Sequence, residues 1–250
     1  MQIDWIITDK DIHKIKDFIE KQKNNPFVQD RKKRNLEGQG FEITKENVWR
    51  VLVGCLLTTQ QRSGPESNVG KLLQTNPFLL SYDICLNKQD LESFSLETLS
   101  DFGGIRRTNN IAREIKVNLS RLEKGLWTDL LTRLKQLDKT PSSALENETA
   151  DYIDIHLQGF GPKQSRNFLQ WLGLTRYEIP IDSRITKWLN KFGFPVVLSA
   201  GALGDKNYYQ FVSDGIQQLC SASDIYPCIL DAAIFASFDE DSWTIDNVGY

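Results

Sequence analysis

Leu157-Gln158-Gly159-Phe160-Gly161-Pro162-Lys163-Gln164-Ser165-Arg166 sets two glycines around one apolar residue and follows them with a proline. Gly159 and Gly161 permit a tight turn and let a partner approach the backbone closely. Pro162 suits the first turn of a helix, where its missing N–H would have no intrahelical partner. The stretch therefore reads as a hairpin between a helix over about 149–156 and one over about 162–172, which Gly173 can close. Free N–H groups in the first turn of the second helix form an anion site suited to a phosphate. On its own, such a hairpin equally fits a helix–helix turn that binds nothing.

Nineteen residues after Lys163 comes Asp182, in Ile179-Pro180-Ile181-Asp182-Ser183-Arg184-Ile185. Asp182 can cap the helix that carries Ile185, Trp188 and Leu189. Taken singly, Asp182 is a simple N-cap and Lys163 a solvated lysine. Further helical patterns cover 183–192, 205–220 and 226–238. Toward the N-terminus, Thr44 is placed to cap a long helix whose apolar face is Val48, Val51, Leu52, Cys55 and Leu56. Ser63-Gly64-Pro65 predicts its end near Arg62. Shorter helices are expected around 66–75, 89–99, 107–123 and 126–137, with a turn-like segment at 138–148. Ile12, Ile15, Phe18 and Ile19 define an amphipathic helix over 11–21. The polar stretch 24–40 reads as a loop or extended segment, and its run Arg31-Lys32-Lys33-Arg34 as a solvated surface within reach of phosphate. No β-type alternation extends beyond a few residues, and no internal repeat or low-complexity tract is present, so the expected class is all-α.

With 250 residues, 40% of them hydrophobic, the chain can bury a sizeable core in one or two intertwined domains. No apolar run approaches the ~20 residues of a membrane span, and Met1-Gln2-Ile3-Asp4-Trp5 does not open a signal peptide. Cys55, Cys85, Cys220 and Cys228 have neither zinc-site nor disulfide-framework spacing. An intracellular compartment is expected, cytoplasmic (nucleoid) in a prokaryote. A net charge of −3 offers no general attraction for nucleic acid. Contact with phosphate requires only a local basic face, which Arg62, Arg106, Arg107, Lys163, Arg166, Arg184 and Lys187 can supply.

Hairpin, lysine and aspartate together resemble the signature of the helix-hairpin-helix (HhH-GPD) DNA glycosylase superfamily. The spacing is similar to that of eukaryotic-type 8-oxoguanine DNA glycosylase/AP lyases and longer than that of endonuclease III. Leu56-Leu57-Thr58-Thr59-Gln60-Gln61 resembles the family's early helix end, with Gln60 where an amide fills the hole left by an extruded base. Phe102-Gly103-Gly104-Ile105-Arg106 resembles the wedge turn, with Ile105 at the intercalating position. Cys228-Ile229-Leu230-Asp231-Ala232-Ala233-Ile234-Phe235 resembles the helix that reads and stacks on the flipped base, with Asp231 as reader and Phe235 as stacker; Phe235 also fits plain core packing. The resemblance covers about residues 45–238.

It implies two helical lobes, one over 43–165 ending in the hairpin and one combining 1–42 with 166–250, with the active site in the cleft between them. It implies Lys163 as nucleophile and Asp182 as essential carboxylate, with DNA held by Gly159, Phe160, Gly161, Gln60, Ile105, Arg106, Arg166 and Arg184. A monovalent cation at the carbonyls of Ile155, Leu157 and Phe160 also belongs to the resemblance. The four-cysteine iron–sulfur cluster of endonuclease III does not, because only Cys220 and Cys228 lie near the C-terminus. The histidines, His13 and His156, suggest no metal site. The implied activity is a bifunctional glycosylase/AP lyase of base excision repair, acting as a monomer on double-stranded DNA with a damaged base, 8-oxoguanine first. Asp231 stands where the 8-oxoguanine enzymes carry an amide, so an oxidised pyrimidine or alkylated purine stays open as substrate. A non-catalytic DNA-binding module and a scaffold of bundled helices are the rival readings.

Overall fold

The hydroxyl of Thr44 accepts the N–H of Asn47 at 3.2 Å and starts the helix that the apolar face after it predicts. The same device recurs along the computed structural model, which describes residues 5–238, 241, 243 and 244. Every regular element among them is helical. In chain order these are α1 (Asp9–Gln22), α2 (Pro26–Asn35), α3 (Lys45–Leu57), α4 (Asn68–Leu73), α5 (Tyr82–Leu86), α6 (Leu91–Phe102), α7 (Thr108–Arg121), α8 (Trp127–Lys139), α9 (Ser143–His156), α10 (Pro162–Trp171), α11 (Ser183–Phe192), α12 (Lys206–Ser223) and α13 (Pro227–Phe238). Side chains of Thr8, Asn25, Ser67, Asp90, Ser142, Asp182 and Asp205 cap the starts of α1, α2, α4, α6, α9, α11 and α12.

Several expectations need correction. The stretch 24–40 is not a loop throughout: Asn25 accepts from the N–H of Phe27 and Pro26 occupies the first turn of α2. Helix α3 stops at Leu57 rather than near Arg62, because the hydroxyls of Thr58 and Thr59 donate back to the Cys55 carbonyl and Gln60 takes a left-handed φ of 60°. The segment 138–148 is mostly helical, since α8 runs on to Lys139 and Ser142 caps α9 earlier than expected. Helices α7 and α8 are joined by the π-helical turn Leu122–Leu126, where Gly125 has a φ of 120°.

Two hydrophobic clusters organise the chain. The first runs from Ile43 to Leu174 and includes Trp49, Leu52 and Leu56 of α3, Ile111 and Ile115 of α7, and Phe168 and Leu169 of α10. Trp49 is fully buried and its indole N–H donates to the Leu80 carbonyl at 2.9 Å, so its one polar group is satisfied. The second gathers Trp5, Ile15, Ile179, Ile181, Ile185, Leu189, Val212, Ile216 and Ile234. A small third cluster, Val28 with Ala232 and Ala233, seats α2 on α13. Helix α11 buries Ile185, Leu189 and Phe192 and exposes Ser183, Lys187 and Lys191, the pattern of a helix with one side in the core. Helix α13 is apolar nearly all round and mostly buried, which makes Asp231 in its middle conspicuous. The four cysteines are buried free thiols, and burial pushes those of Cys85 and Cys228 up to about 12. Among the described residues no single helix is long and apolar enough to cross a membrane.

Candidate active site

Between α9 and α10 the hairpin is shaped largely by side chains from α7. The Asn118 amide accepts the N–H of Gln158 at 2.7 Å and donates to its carbonyl at 2.9 Å. Arg121 donates to the His156 carbonyl at 2.8 Å. Gly159 has a φ of 86°, and a Cβ there would stand 2.7 Å from the Glu114 carboxyl carbon and 2.8 Å from Leu56, so any other residue would be strained and would have to displace those side chains. Gly161 is extended, and a Cβ there would meet open space, so its backbone lies bare. The Phe160 ring is buried edge-on against Phe168, leaving only its backbone for a ligand. With Pro162 first in α10, the amides of the next residues have no intrahelical acceptor. The carbonyls of His156 and Gln158 are taken by Arg121 and Asn118; among the described residues no hydrogen bond engages those of Ile155, Leu157 and Phe160.

The strap 175–182 brings the chain back from α10 to α11. Glu146 of α9, fully buried, accepts the backbone N–H groups of Arg176, Tyr177 and Glu178 at 2.8, 2.8 and 2.7 Å. Farther along, the Tyr209 hydroxyl accepts the N–H of Ile181 at 2.8 Å and donates to the Ile179 carbonyl at 2.7 Å. Held on both sides, the strap delivers Asp182 to a cleft of about 820 Å³ that Lys163 also lines. The Asp182 carboxylate accepts the N–H groups of Arg184 and Ile185 at 2.8 and 3.2 Å, and the Arg184 guanidinium donates to its other oxygen at 3.0 and 2.8 Å. Burial alone would push this carboxyl up. The Arg184 charge and hydrogen bonds, joined by the Lys163 charge, outweigh it and hold the group below its ordinary value. Lys163 is half-buried in the first turn of α10.

Gln164 ties that turn to the end of α3, donating to the Cys55 carbonyl at 2.6 Å and to the Thr59 hydroxyl at 2.5 Å. Gln60, exposed at its left-handed position, therefore stands at the cleft rim with Arg106 and Arg184. Ile105 is half-buried against the first cluster and does not line the cleft. Arg166, expected at a DNA face, is 2% exposed and pairs with Glu178 at 2.6 Å, beneath the surface. Asp231 and Phe235 both line the cleft. The Phe235 ring already stacks on Phe27 (4.3 Å, 19°) and has the Arg184 guanidinium 4.4 Å from its centre.

Sequence reasoning missed Phe27, Arg31, Gln61 and Gln170, all of which line the cleft. Gln61 accepts the N–H of Arg106 at 2.8 Å and donates to the Leu57 carbonyl, which couples the turn after α3 to the turn after α6. Its neighbour Gln60 was conspicuous only through the family pattern, and nothing local marked Gln61. The start signal Asn25-Pro26 would have placed Phe27 and Arg31, four apart, on one helix face. The site thus presents an amine and an ionised carboxylate in one cleft, beside a bare backbone turn able to hold an anion.

No protein-family model and no curated protein matches the chain. Solved structures do. The 8-oxoguanine DNA glycosylase of Thermotoga maritima is similar over 94% of this chain and 99% of its own, with a TM-score of 0.65 and 17% identity. That of Methanocaldococcus jannaschii is similar over 92% and 96%, with a TM-score of 0.63 and 16% identity. The Methanocaldococcus jannaschii 8-oxoguanine glycosylase/lyase in complex with 15mer DNA containing 8-oxoguanine covers 93% of this chain and 100% of its own, with a TM-score of 0.65 and 15% identity. The chain has the all-helical HhH-GPD fold that these structures share.

Proposed function

We propose that this chain is a bifunctional DNA glycosylase/AP lyase that removes a damaged base, 8-oxoguanine first, from double-stranded DNA in base excision repair, acting as an intracellular monomer. One observation carries the reading: Lys163 and Asp182 line the same cleft, close enough for the lysine charge to help keep the carboxylate ionised, beside the hairpin. The names of the structural neighbours support it. The lobes are taken as 43–165 and 1–42 with 166–250, with the rest of α10 beyond that boundary still packed on the first cluster, and the cleft lying between them.

A base inside a duplex hides its glycosidic bond, so the nucleotide must be flipped out. Gln60 and Arg106, at the cleft rim, fill the gap left in the stack, with Ile105 packed on the first cluster beneath that turn, and the amides after Gly161 hold a backbone phosphate. The carbonyls of Ile155, Leu157 and Phe160, which no protein donor among the described residues occupies, would hold a monovalent cation, whose charge would offset that of a phosphate. As the bond to the base breaks, positive charge develops on the sugar and Asp182 stabilises it. The base departs with the bonding electrons and takes up the ammonium proton of Lys163, whose freed amine forms a bond to C1′. The amine now on C1′ sheds a proton and the C1′–O4′ bond opens, O4′ taking up a proton; the resulting Schiff base acidifies C2′, and β-elimination breaks the bond from C3′ to its phosphate oxygen. No cofactor enters these steps.

Borohydride trapping on abasic and 8-oxoguanine duplexes tests the reading. Wild type should form a covalent protein–DNA adduct on both, and Lys163→Ala on neither. An adduct undiminished in Lys163→Ala, or none with wild type, refutes the chemistry.

A further inference from the structure

The basic run Arg31-Lys32-Lys33-Arg34 divides on folding. Lys32 and Lys33 are exposed, whereas Arg31 is buried against Asp231 of α13, and both line the cleft. Arg31 Nη1 donates to Asp231 Oδ2 at 2.8 Å, and Gln170 Nε2 donates to the same oxygen at 3.0 Å. A carboxylate oxygen has about two lone-pair sites, so Oδ2 is filled. Among the described residues no hydrogen bond engages Asp231 Oδ1. Of the three guanidinium nitrogens only Nη1 is engaged, and Nε is buried with no partner. The Phe27 ring lies 5.2 Å from the guanidinium carbon and limits its movement.

Burying an ion pair in an apolar helix interface stabilises a fold little, and well-packed apolar residues commonly serve at least as well. A pair retained there with an open acceptor and unfilled donors on a cleft has the composition of a recognition element, since a site built to hydrogen-bond its substrate rejects analogues that cannot answer it. We propose, on the reading that this chain excises a base, that Arg31 and Asp231 act together as a donor–acceptor reader of the extruded base. Asp231 Oδ1 accepts a ring N–H and the Arg31 guanidinium donates to the adjoining C=O. The substrate class is then a base with a lactam edge, and Arg31 is a specificity-determining residue from the N-terminal part of the chain. A base whose ring nitrogen carries no proton on that edge fails the bond to Asp231, and one that also lacks the C=O fails both.

The test is single-turnover incision of duplexes carrying one 8-oxoguanine, hypoxanthine, 5-hydroxyuracil, 1,N6-ethenoadenine or preformed abasic site. Wild type should excise the best of the first three about 100-fold faster than 1,N6-ethenoadenine, which lacks the edge. The double variant Arg31→Met/Asp231→Leu removes both charges together and should stay folded by circular dichroism. Its rate on that best lesion should fall about 100-fold further than its rate on abasic DNA, where there is no base to read. Arg31→Lys keeps the charge and loses the planar fork, and should show the same ordering at about tenfold. Equal falls on lesion and abasic duplexes, or 1,N6-ethenoadenine excised as fast as the best lactam base, overturn the reader while leaving the lyase chemistry standing. Wild type inert on every duplex overturns the function and the reader with it.

Discussion

Arg166 with Glu178 and Arg31 with Asp231 are the same kind of pair in different surroundings. The first joins at 2.6 Å between side chains 2% and 0% exposed, and the second at 2.8 Å between side chains 3% and 11% exposed. Glu178 is answered on both oxygens, by Arg166 on one and by Ser213 and Gln217 on the other. Asp231 has both its partners on one oxygen. A network closed on itself holds α10, the strap and α12 together; one left open toward a cleft has capacity for something that arrives later. Changes on the closed side should therefore act on stability, and changes at the cleft on the activity proposed above.

The largest test of that difference is Arg166→Met, which leaves Glu178 charged and sealed and should cost about 3–5 kcal/mol in urea unfolding. Arg31→Met should cost only about 1–3 kcal/mol, because Asp231 can reach water in the cleft. Equal losses would erase the contrast.

Next is Glu146, beside the closed network. Burial pushes its carboxyl up to about 7 from an ordinary 4.5, with the Glu178 charge adding and the three strap amides opposing. Because the folded value is the higher one, the folded protein holds the extra proton between the two. The group's contribution is complete below about 4.5 and is lost as pH rises through about 7. The span amounts to roughly 3 kcal/mol. Unfolding of wild type against Glu146→Gln between those pH values should show that slope in wild type and not in the variant; parallel curves would refute it.

Gly159→Ala lies where stability and binding meet. The added carbon meets Glu114 and Leu56 at a left-handed φ, so a loss of about 1–3 kcal/mol is expected in thermal unfolding, together with weaker binding of duplex DNA. The smallest effect belongs to Gln61→Leu, which uncouples two turns at the cleft rim. Water at the rim can replace both hydrogen bonds that Gln61 makes, so unfolding should move by less than about 0.5 kcal/mol, while affinity for an abasic-analogue duplex falls about fivefold, because the turn at Arg106 is no longer held in place, a cost of ~1 kcal/mol. The converse pattern would place Gln61 on the stability side.

What the sequence revealed follows the range of the forces concerned. The hairpin glycines, Pro162 and the Asp182 cap obey rules that act within a few residues, and they stand where those rules put them. Arg166 misled because its position beside the hairpin suggested an outward arginine, whereas Glu178, twelve residues on, draws it inward. Arg31 was hidden more deeply. Its partner lies 200 residues away, and a run of four basic residues looks solvated until a helix turns one of them under. Glu146 could not be foreseen, because it acts on backbone amides, which no residue pattern displays.

The Asn118 amide imitates a neighbouring β-strand: by both accepting from and donating to the Gln158 backbone, it does for one residue what a ladder does for many. The hairpin is consequently moulded in the free protein. Docking a phosphate there requires no folding of the loop, so the entropy of ordering it is already spent in the free protein.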